Sequence, residues 1–150
     1  MPELNVNGEV VTLEIDRVIN AGYSGRDEEA VQDHIDELVE DGIAAPDSVP
    51  TTYELAPYTL LSDPGSIRVV GDATSGEAEF GLLLAGGDAY VVAASDQTDR
   101  ELERESIQMA KQVVPNVISR RAWRLSDIRQ HWDDIEIRAW NTVDDERRLY

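Results

Sequence analysis

The sequence predicts an α+β fold that consists mostly of strands and forms a single domain over residues 1–150. Apolar and polar residues alternate in short segments that end at turn residues, which is typical of half-buried strands. The most apolar stretch, residues 80–94, is divided by Gly86-Gly87, as in a hairpin. Few segments carry helix signals, so we expect two to three short helices. With 41% hydrophobic residues, a chain of 150 residues can bury a core.

The N-terminal part is predicted to contain a hairpin followed by a helix. Residues 3–15 alternate as strands do, and Asn7-Gly8 between them suits a two-residue hairpin turn. A helix is predicted over residues 27–41, because Asp27 can cap its first turn and Gly42 can end it. The apolar stripe of this helix consists of Val31, Ile35, Leu38 and Val39.

The middle of the chain is predicted to be turns and short strands. The proline-containing segment 43–66 favours turns, with an extended piece around residues 52–55. Further strands are predicted at residues 67–70 and in a hairpin over residues 77–95.

The C-terminal part is predicted to contain two helices and a strand. Thr98-Asp99-Arg100-Glu101 has the spacing of a capping box, so a helix should begin there and continue to about residue 113. A short helix over residues 126–132 is capped by Ser126, and residues 135–140 alternate as a last strand.

The charge of the chain excludes several classes of partner. Asp and Glu number 31 against 13 Lys and Arg, for a net charge of −18, so nucleic acid and anionic membranes are repelled. Lys111 is the only lysine, and this composition is typical of a halophilic archaeon, whose salt-rich cytoplasm screens the self-repulsion. Without cysteine there is no disulfide or thiol chemistry. No long apolar run is present, so we expect a cytoplasmic protein.

Three carboxylates are predicted to converge on the 77–95 hairpin. Glu77 and Glu79 lie at i and i+2, so they project from the same face of a strand. A Gly86-Gly87 turn places Asp96 opposite Glu77, whereas a Gly87-Asp88 turn places it opposite Glu79. Both registers leave the three acids on one face, where mutual repulsion favours a bound divalent cation. The alternative is ordinary surface charge in a very acidic chain.

The first predicted helix carries a candidate catalytic pair. His34 and Glu37 lie at i and i+3, so they are neighbours on the helix surface. A carboxylate beside an imidazole raises the basicity of the ring, which suits a general base for water. The alternative is an exposed histidine among acids that keep the protein in solution. His131, the only other histidine, is interpreted as structural.

Two cations on the second predicted helix are candidates for contacts with substrate. Arg100 and Lys111 are eleven residues apart and share a helix face. An unbroken helix would separate them by about 16 Å. Both can reach one substrate only if the helix ends early or bends. The alternative is that Lys111 is an ordinary residue without a role in the site.

The order of these motifs resembles the fumarylacetoacetate hydrolase-like superfamily over about residues 18–150. The matching motifs are a His34-x-x-Glu37 helix, a proline-containing link, a Glu77-x-Glu79 strand, Asp96 followed by Arg100, and a downstream Lys111. The resemblance is strongest to an uncharacterised branch of that superfamily. It implies a mixed sheet or roll.

The resemblance also implies an activity and its residues. Glu77, Glu79 and Asp96 would hold Mg²⁺ or Mn²⁺, with Ca²⁺ as a further option, which agrees with the preference of these ions for hard oxygen ligands. His34 and Glu37 would activate water, Lys111 would be catalytic, and Arg100 would pair with a substrate carboxylate. The substrate would be a small 2-oxo or 1,3-dicarbonyl acid, and acylpyruvate-type C–C hydrolysis would be the reaction. Other members decarboxylate oxaloacetate or dehydrate keto acids.

The chain differs from the superfamily at its C-terminal end. The chain ends at Tyr150, where the superfamily normally continues with a segment that completes the sheet and the pocket. The resemblance therefore implies that a C-terminal part is missing and that sheet edges are exposed, which favours a homodimer. It also leaves open a non-catalytic protein that serves as an interaction or structural subunit.

Overall fold

The fold is α+β with mostly strands, as the sequence predicts, and the computed structural model describes residues 1–149. Tyr150, on which the expectation of a missing C-terminal part depends, lies outside the described residues. The strands are β1 (Glu3–Val6), β2 (Glu9–Thr12), β3 (Val18–Gly22), β4 (Thr51–Leu55), β5 (Leu60–Ser62), β6 (Ala78–Ala85), β7 (Asp88–Ser95), β8 (Asn116–Arg124), β9 (Trp140–Val143) and β10 (Glu146–Leu149). The α-helices are α1 (Glu28–Glu40), α2 (Arg100–Glu103), α3 (Ile107–Gln112) and α4 (Leu125–Ile128).

A mixed six-stranded sheet forms the centre of the fold, and β8 is its longest strand. The order is β2-β1-β8-β7-β6, with β5 also paired to β8. β7 lies antiparallel to β8, whereas β5 and β1 run parallel to its first and second halves. Two smaller antiparallel sheets pair β3 with β4 and β9 with β10. The core cluster comprises Leu4, Val6, Leu13, Leu83, Tyr90, Val92, Ile118 and Ala122.

The β6–β7 hairpin has the register that sequence periodicity predicts for a Gly86-Gly87 turn. Ala85 pairs with Asp88, so the turn contains two residues, and both glycines have positive φ (61° and 88°). Such a turn matches the twist of the flanking strands and requires residues without a side-chain penalty at positive φ. The pairing continues to its open end, where the Asp96 N–H donates to the Glu77 carbonyl over 2.9 Å.

Helix α1 begins and ends close to the predicted positions. The Asp27 carboxylate accepts from the backbone N–H groups of Glu29 and Ala30 at 3.1 Å, which satisfies two donors of the first turn. Gly42 has a φ of 86°, and the N–H of Ile43 reaches back to the Leu38 carbonyl, as in a glycine-terminated helix.

The predicted helix over residues 98–113 is instead two helices, α2 and α3. Asp99 caps α2 in place of Thr98, whose hydroxyl accepts from Lys111 in the interior. Ser106 starts α3, because its hydroxyl accepts from the Met109 N–H. Ser106 is thus a second N-cap inside the predicted helix, and a new helix begins after it.

The predicted strands at 67–70 and 135–140 are wrong, apart from Trp140, which begins β9. Alternating apolar residues form a strand only where a neighbouring strand satisfies the backbone, and these segments pair with none among residues 1–149. The short helix predicted at 126–132 begins one residue earlier as α4, has no side-chain cap, and continues as a 3₁₀ segment to Asp134. In the described part of the chain, no helix is long and apolar enough to cross a membrane.

Candidate functional site

Glu77, Glu79 and Asp96, here called the carboxylate cluster, lie at the open end of the β6–β7 hairpin. Glu77 faces Asp96 across the hairpin, and Glu79 follows on β6. The pKa of Glu79 is raised above its ordinary value, first by burial and then by the negative charges of Asp96 and Glu77, whereas Lys111 lowers it. The structure therefore brings these three predicted residues together, and their mutual repulsion is felt at Glu79.

Two cations bind two of these carboxylates. Lys111 Nζ lies 2.6 Å from Asp96 Oδ2 and 3.1 Å from Thr98 Oγ1, and Lys111 is only 7% exposed. Arg100 Nη2 lies 2.5 Å from Glu77 Oε1. An unbroken helix would have held the two cations apart, so the break between α2 and α3 explains how both reach the cluster.

Two asparagines extend the cluster into the interior. Asn20 Nδ2 on β3 donates to Asp96 Oδ1 and, over 3.4 Å, to the Oδ1 of Asn116 at the start of β8. Asn116 is 4% exposed, and its Nδ2 has no hydrogen-bond partner among the described residues. Sequence reasoning missed both, because no local pattern shows that β3 and β8 meet Asp96.

The donor chemistry of the carboxylate cluster fits a divalent cation. All three side chains offer hard oxygen ligands of the kind that Mg²⁺ and Mn²⁺ prefer, and ionised Glu79 would gain from a positive neighbour. In the conformation of residues 1–149, no three acids or histidines adopt a metal-binding arrangement. Lys111 and Arg100 supply the countercharge to Asp96 and Glu77 there.

His34 and Glu37 line a cleft of about 380 Å³, here called the histidine cleft, between the end of α1 and helix α2. Its walls comprise His34, Glu37, Leu38, Asp41, Ile43, Arg100, Glu103 and Arg104. The structure thus brings together three of the predicted residues, His34, Glu37 and Arg100. No hydrogen bond within residues 1–149 joins His34 to Glu37.

Arg100 connects the histidine cleft with the carboxylate cluster. Besides its contact with Glu77, its Nη1 lies 2.7 Å from the carboxylate of Glu103, which is 6% exposed. A guanidinium between two carboxylates is held in a defined orientation by charge-assisted hydrogen bonds. Glu103 was not predicted, and the i, i+3 spacing from Arg100 is the signal that could have found it.

Tyr23 is a neighbour of His34 to which sequence reasoning assigned no role in the site. Its ring centroid lies 6.2 Å from that of His34, and its backbone adopts a positive φ of 56°. Burial, and then the charge of Glu103, raises the pKa of Tyr23. The pKa of Tyr53 is raised by burial and then by Tyr23 and Glu103, so the two phenols and this acid are neighbours.

Glu77 and Glu79 also line a second cleft, which has a volume of about 280 Å³. Its opposite wall is formed by Ile137 and Ala139. These residues belong to the segment that was predicted as a strand, and in the structure they line this cleft together with Glu77 and Glu79 instead of extending the sheet.

Replacing Glu79 by glutamine is expected to raise the unfolding temperature of the metal-free protein at neutral pH. The folded-state pKa lies above the ordinary 4.5, so the ionised group opposes folding, and this penalty disappears as the pH falls below the unfolded value. The advantage of the variant should therefore shrink between about pH 7 and pH 4 in thermal unfolding scans. Glu14→Gln, which alters an exposed acid just after β2, is the control. Equal shifts in both variants would contradict the prediction.

Comparison with known proteins identifies one family. Comparisons with curated proteins and with solved structures gave no match. A family model matches residues 21–150, a range that includes the histidine cleft and the whole carboxylate cluster. The chain therefore belongs to the family described as protein of unknown function (DUF2848).

Proposed function

We propose that the protein is a divalent-metal-dependent hydrolase or lyase that acts on a small 2-oxo or 1,3-dicarbonyl acid, by acylpyruvate-type C–C hydrolysis. The observation that supports this most is the position of Arg100, which lines the histidine cleft and is paired with Glu77. Arg100 thereby contacts a residue of the candidate metal site and lines the cleft that holds the candidate base. The resemblance to the fumarylacetoacetate hydrolase-like superfamily supports the same assignment.

Each side chain has a distinct task in this proposal. Glu77, Glu79 and Asp96 would hold Mg²⁺ or Mn²⁺, or Ca²⁺, and such an ion stabilises negative charge that develops on a substrate oxygen. His34 would accept the proton of the attacking water, and Glu37, its neighbour at i+3, would orient the imidazole through a hydrogen bond that forms in the substrate complex. Lys111 would hold the Asp96 carboxylate in place through its 2.6 Å contact, and Arg100 would attract the substrate carboxylate.

The test combines metal binding with turnover in concentrated KCl, which screens the net charge of −18. Calorimetric titration with Mg²⁺ or Mn²⁺ should give saturable heat that Glu79→Ala abolishes and Glu14→Ala preserves. Acylpyruvates, followed by loss of their enol absorbance, should be consumed only with metal present. Unchanged metal binding in Glu79→Ala would reject the site.

A non-catalytic role as an interaction or structural subunit is the second candidate. It is favoured by the ion pairs Lys111–Asp96 and Arg100–Glu77, which already neutralise two carboxylates of the cluster. Metal binding without turnover of acylpyruvates, oxaloacetate or sugar-derived keto acids would support it. Consumption of oxaloacetate or of a keto acid alone would instead indicate a decarboxylase or a dehydratase.

We also propose a homodimer that forms along β6. β6 is a terminal strand of the main sheet, and Phe80, Leu82 and Leu84 alternate along it with 45%, 51% and 77% of their surface exposed. Asp88 is the only charged residue between Phe80 and Ser95, so two copies of this acidic chain repel each other least there.

Leu84→Lys is expected to convert this dimer to a monomer, because it places a charge at the most exposed position of the apolar strand face. Size-exclusion chromatography with light scattering in concentrated KCl measures the mass. Val10→Lys, which alters a residue that is 67% exposed on the opposite terminal strand, should leave the mass unchanged. A monomeric wild-type protein would reject the proposal.

The composition supports a salt-rich cytoplasm as the working environment. One lysine among 13 basic residues and a net charge of −18 make the folded state depend on screening. Removal of KCl should therefore lower the unfolding temperature steeply.

A further inference from the structure

Arg104 differs from Arg100 in how its charge is used. It follows the last residue of α2 directly and lines the histidine cleft together with His34. Arg100 is held by the carboxylates of Glu77 and Glu103. Arg104 is exposed, and no ion pair or side-chain hydrogen bond of residues 1–149 engages it. The cleft therefore presents a guanidinium whose donors remain available to a ligand.

The surroundings of Arg104 restrict which ligand it can take. A guanidinium offers a planar fork of donors that matches a carboxylate. The other charged walls of the cleft are the acids Glu37, Asp41 and Glu103, and Arg100, whose charge is shared with the carboxylates of Glu77 and Glu103. An anionic group is therefore attracted most strongly where it lies against Arg104. In a chain with a net charge of −18, such a local cation decides where an anion binds.

The spacing of Arg100 and Arg104 relates the position of Arg104 to the proposed reaction. Arg100 and Arg104 lie at i and i+4, which corresponds to about 6 Å between Cβ atoms on a helix. Arg100 touches Glu77 of the carboxylate cluster, and Arg104 does not. A ligand with its reacting end at the cluster and a short carbon chain in the cleft would present its far end to Arg104.

We infer that Arg104 binds a second carboxylate of the substrate, so that the preferred substrates are 2-oxo diacids rather than 2-oxo monoacids. This inference rests on the proposed function, since it takes the 2-oxo acid end to lie at the carboxylate cluster. It assigns substrate selection to a residue at the end of α2 that has no part in holding the metal or activating water.

The test compares two probes of equal chain length, 2-oxoglutarate and 2-oxopentanoate, by calorimetric titration in concentrated KCl with Mg²⁺. The wild-type protein should bind the diacid about tenfold more tightly, as expected for one charge-assisted contact. Arg104→Gln should lose that preference through weaker binding of the diacid, with unchanged binding of the monoacid. Arg120→Gln, which removes the same charge from an exposed position on β8, should keep the preference.

The outcomes separate the two proposals. A diacid preference that persists in Arg104→Gln overturns the role of Arg104 and leaves the proposed function standing. Equal binding of both probes by the wild-type protein also overturns the role of Arg104 and leaves the proposed function standing. Absence of binding of either probe by the wild-type protein overturns the 2-oxo acid site, and the role of Arg104 with it.

Discussion

Replacement of Lys111 by methionine is expected to lower the free energy of unfolding by about 3 kcal/mol, the usual cost of removing one member of a buried ion pair. Lys111 is 7% exposed, and its ammonium contacts both Asp96 and Thr98. Methionine fills a similar volume, so the loss reports the charge contacts and not a cavity. Urea unfolding in concentrated KCl measures the change.

A surface ion pair of the same chain provides the control. Arg17 and Glu54 are 3.0 Å apart, but both side chains are more than half exposed. Arg17→Met should therefore lower the free energy of unfolding far less than Lys111→Met does. The double variant Lys111→Met/Asp96→Asn should recover part of the stability lost in Lys111→Met, because Asp96 is then no longer left charged and unpaired. Equal losses in Lys111→Met and Arg17→Met would contradict the buried pair.

Replacement of His34 by glutamine is expected to reduce kcat/KM for an acylpyruvate by about 10²–10⁴-fold, the usual contribution of a general base. Glutamine retains a polar group of similar size in the histidine cleft but cannot take up a proton at neutral pH. Steady-state kinetics with saturating metal, followed by loss of enol absorbance, measures the effect.

His131→Gln is the matched control, because His131 is the only other histidine. It is exposed in the 3₁₀ segment after α4 and shares a hydrogen bond with Gln130. This variant should retain wild-type turnover. Since His34 also contacts the Tyr23 ring, thermal unfolding of His34→Gln must show that the fold persists. Equal activity of the two variants would remove His34 from the mechanism.

Local patterns predicted the parts of the fold that local forces control. The hairpin and the shared face of its acids followed from the glycine turn, since both two-residue turns give the same parity, and the structure selects the Gly86-Gly87 turn. Helix α1 followed from Asp27 and Gly42, which act on backbone groups within one turn. The strands predicted at 67–70 and 135–140 failed, because alternation does not reveal whether a partner strand is present.

Local patterns likewise predicted some residues of the candidate site and not others. Glu77, Glu79 and Asp96 could be placed together from the side-chain period of a single hairpin. Asn20 and Asn116 could not, because each reaches Asp96 from an element that no local pattern connects with the hairpin. Their positions depend on how the β3–β4 sheet and β8 pack around the hairpin.

The amino-acid sequence alone establishes the fold class, the 77–95 hairpin and the shared face of its three carboxylates, since these depend on periodicity and turn chemistry within about 20 neighbouring residues. Only the folded chain decides that Lys111 and Arg100 both meet the carboxylate cluster, through the break that Ser106 introduces between α2 and α3. It also decides that Arg100 and Arg104 share a cleft with His34. These contacts join different helices and strands, and the packing of those elements against one another sets them.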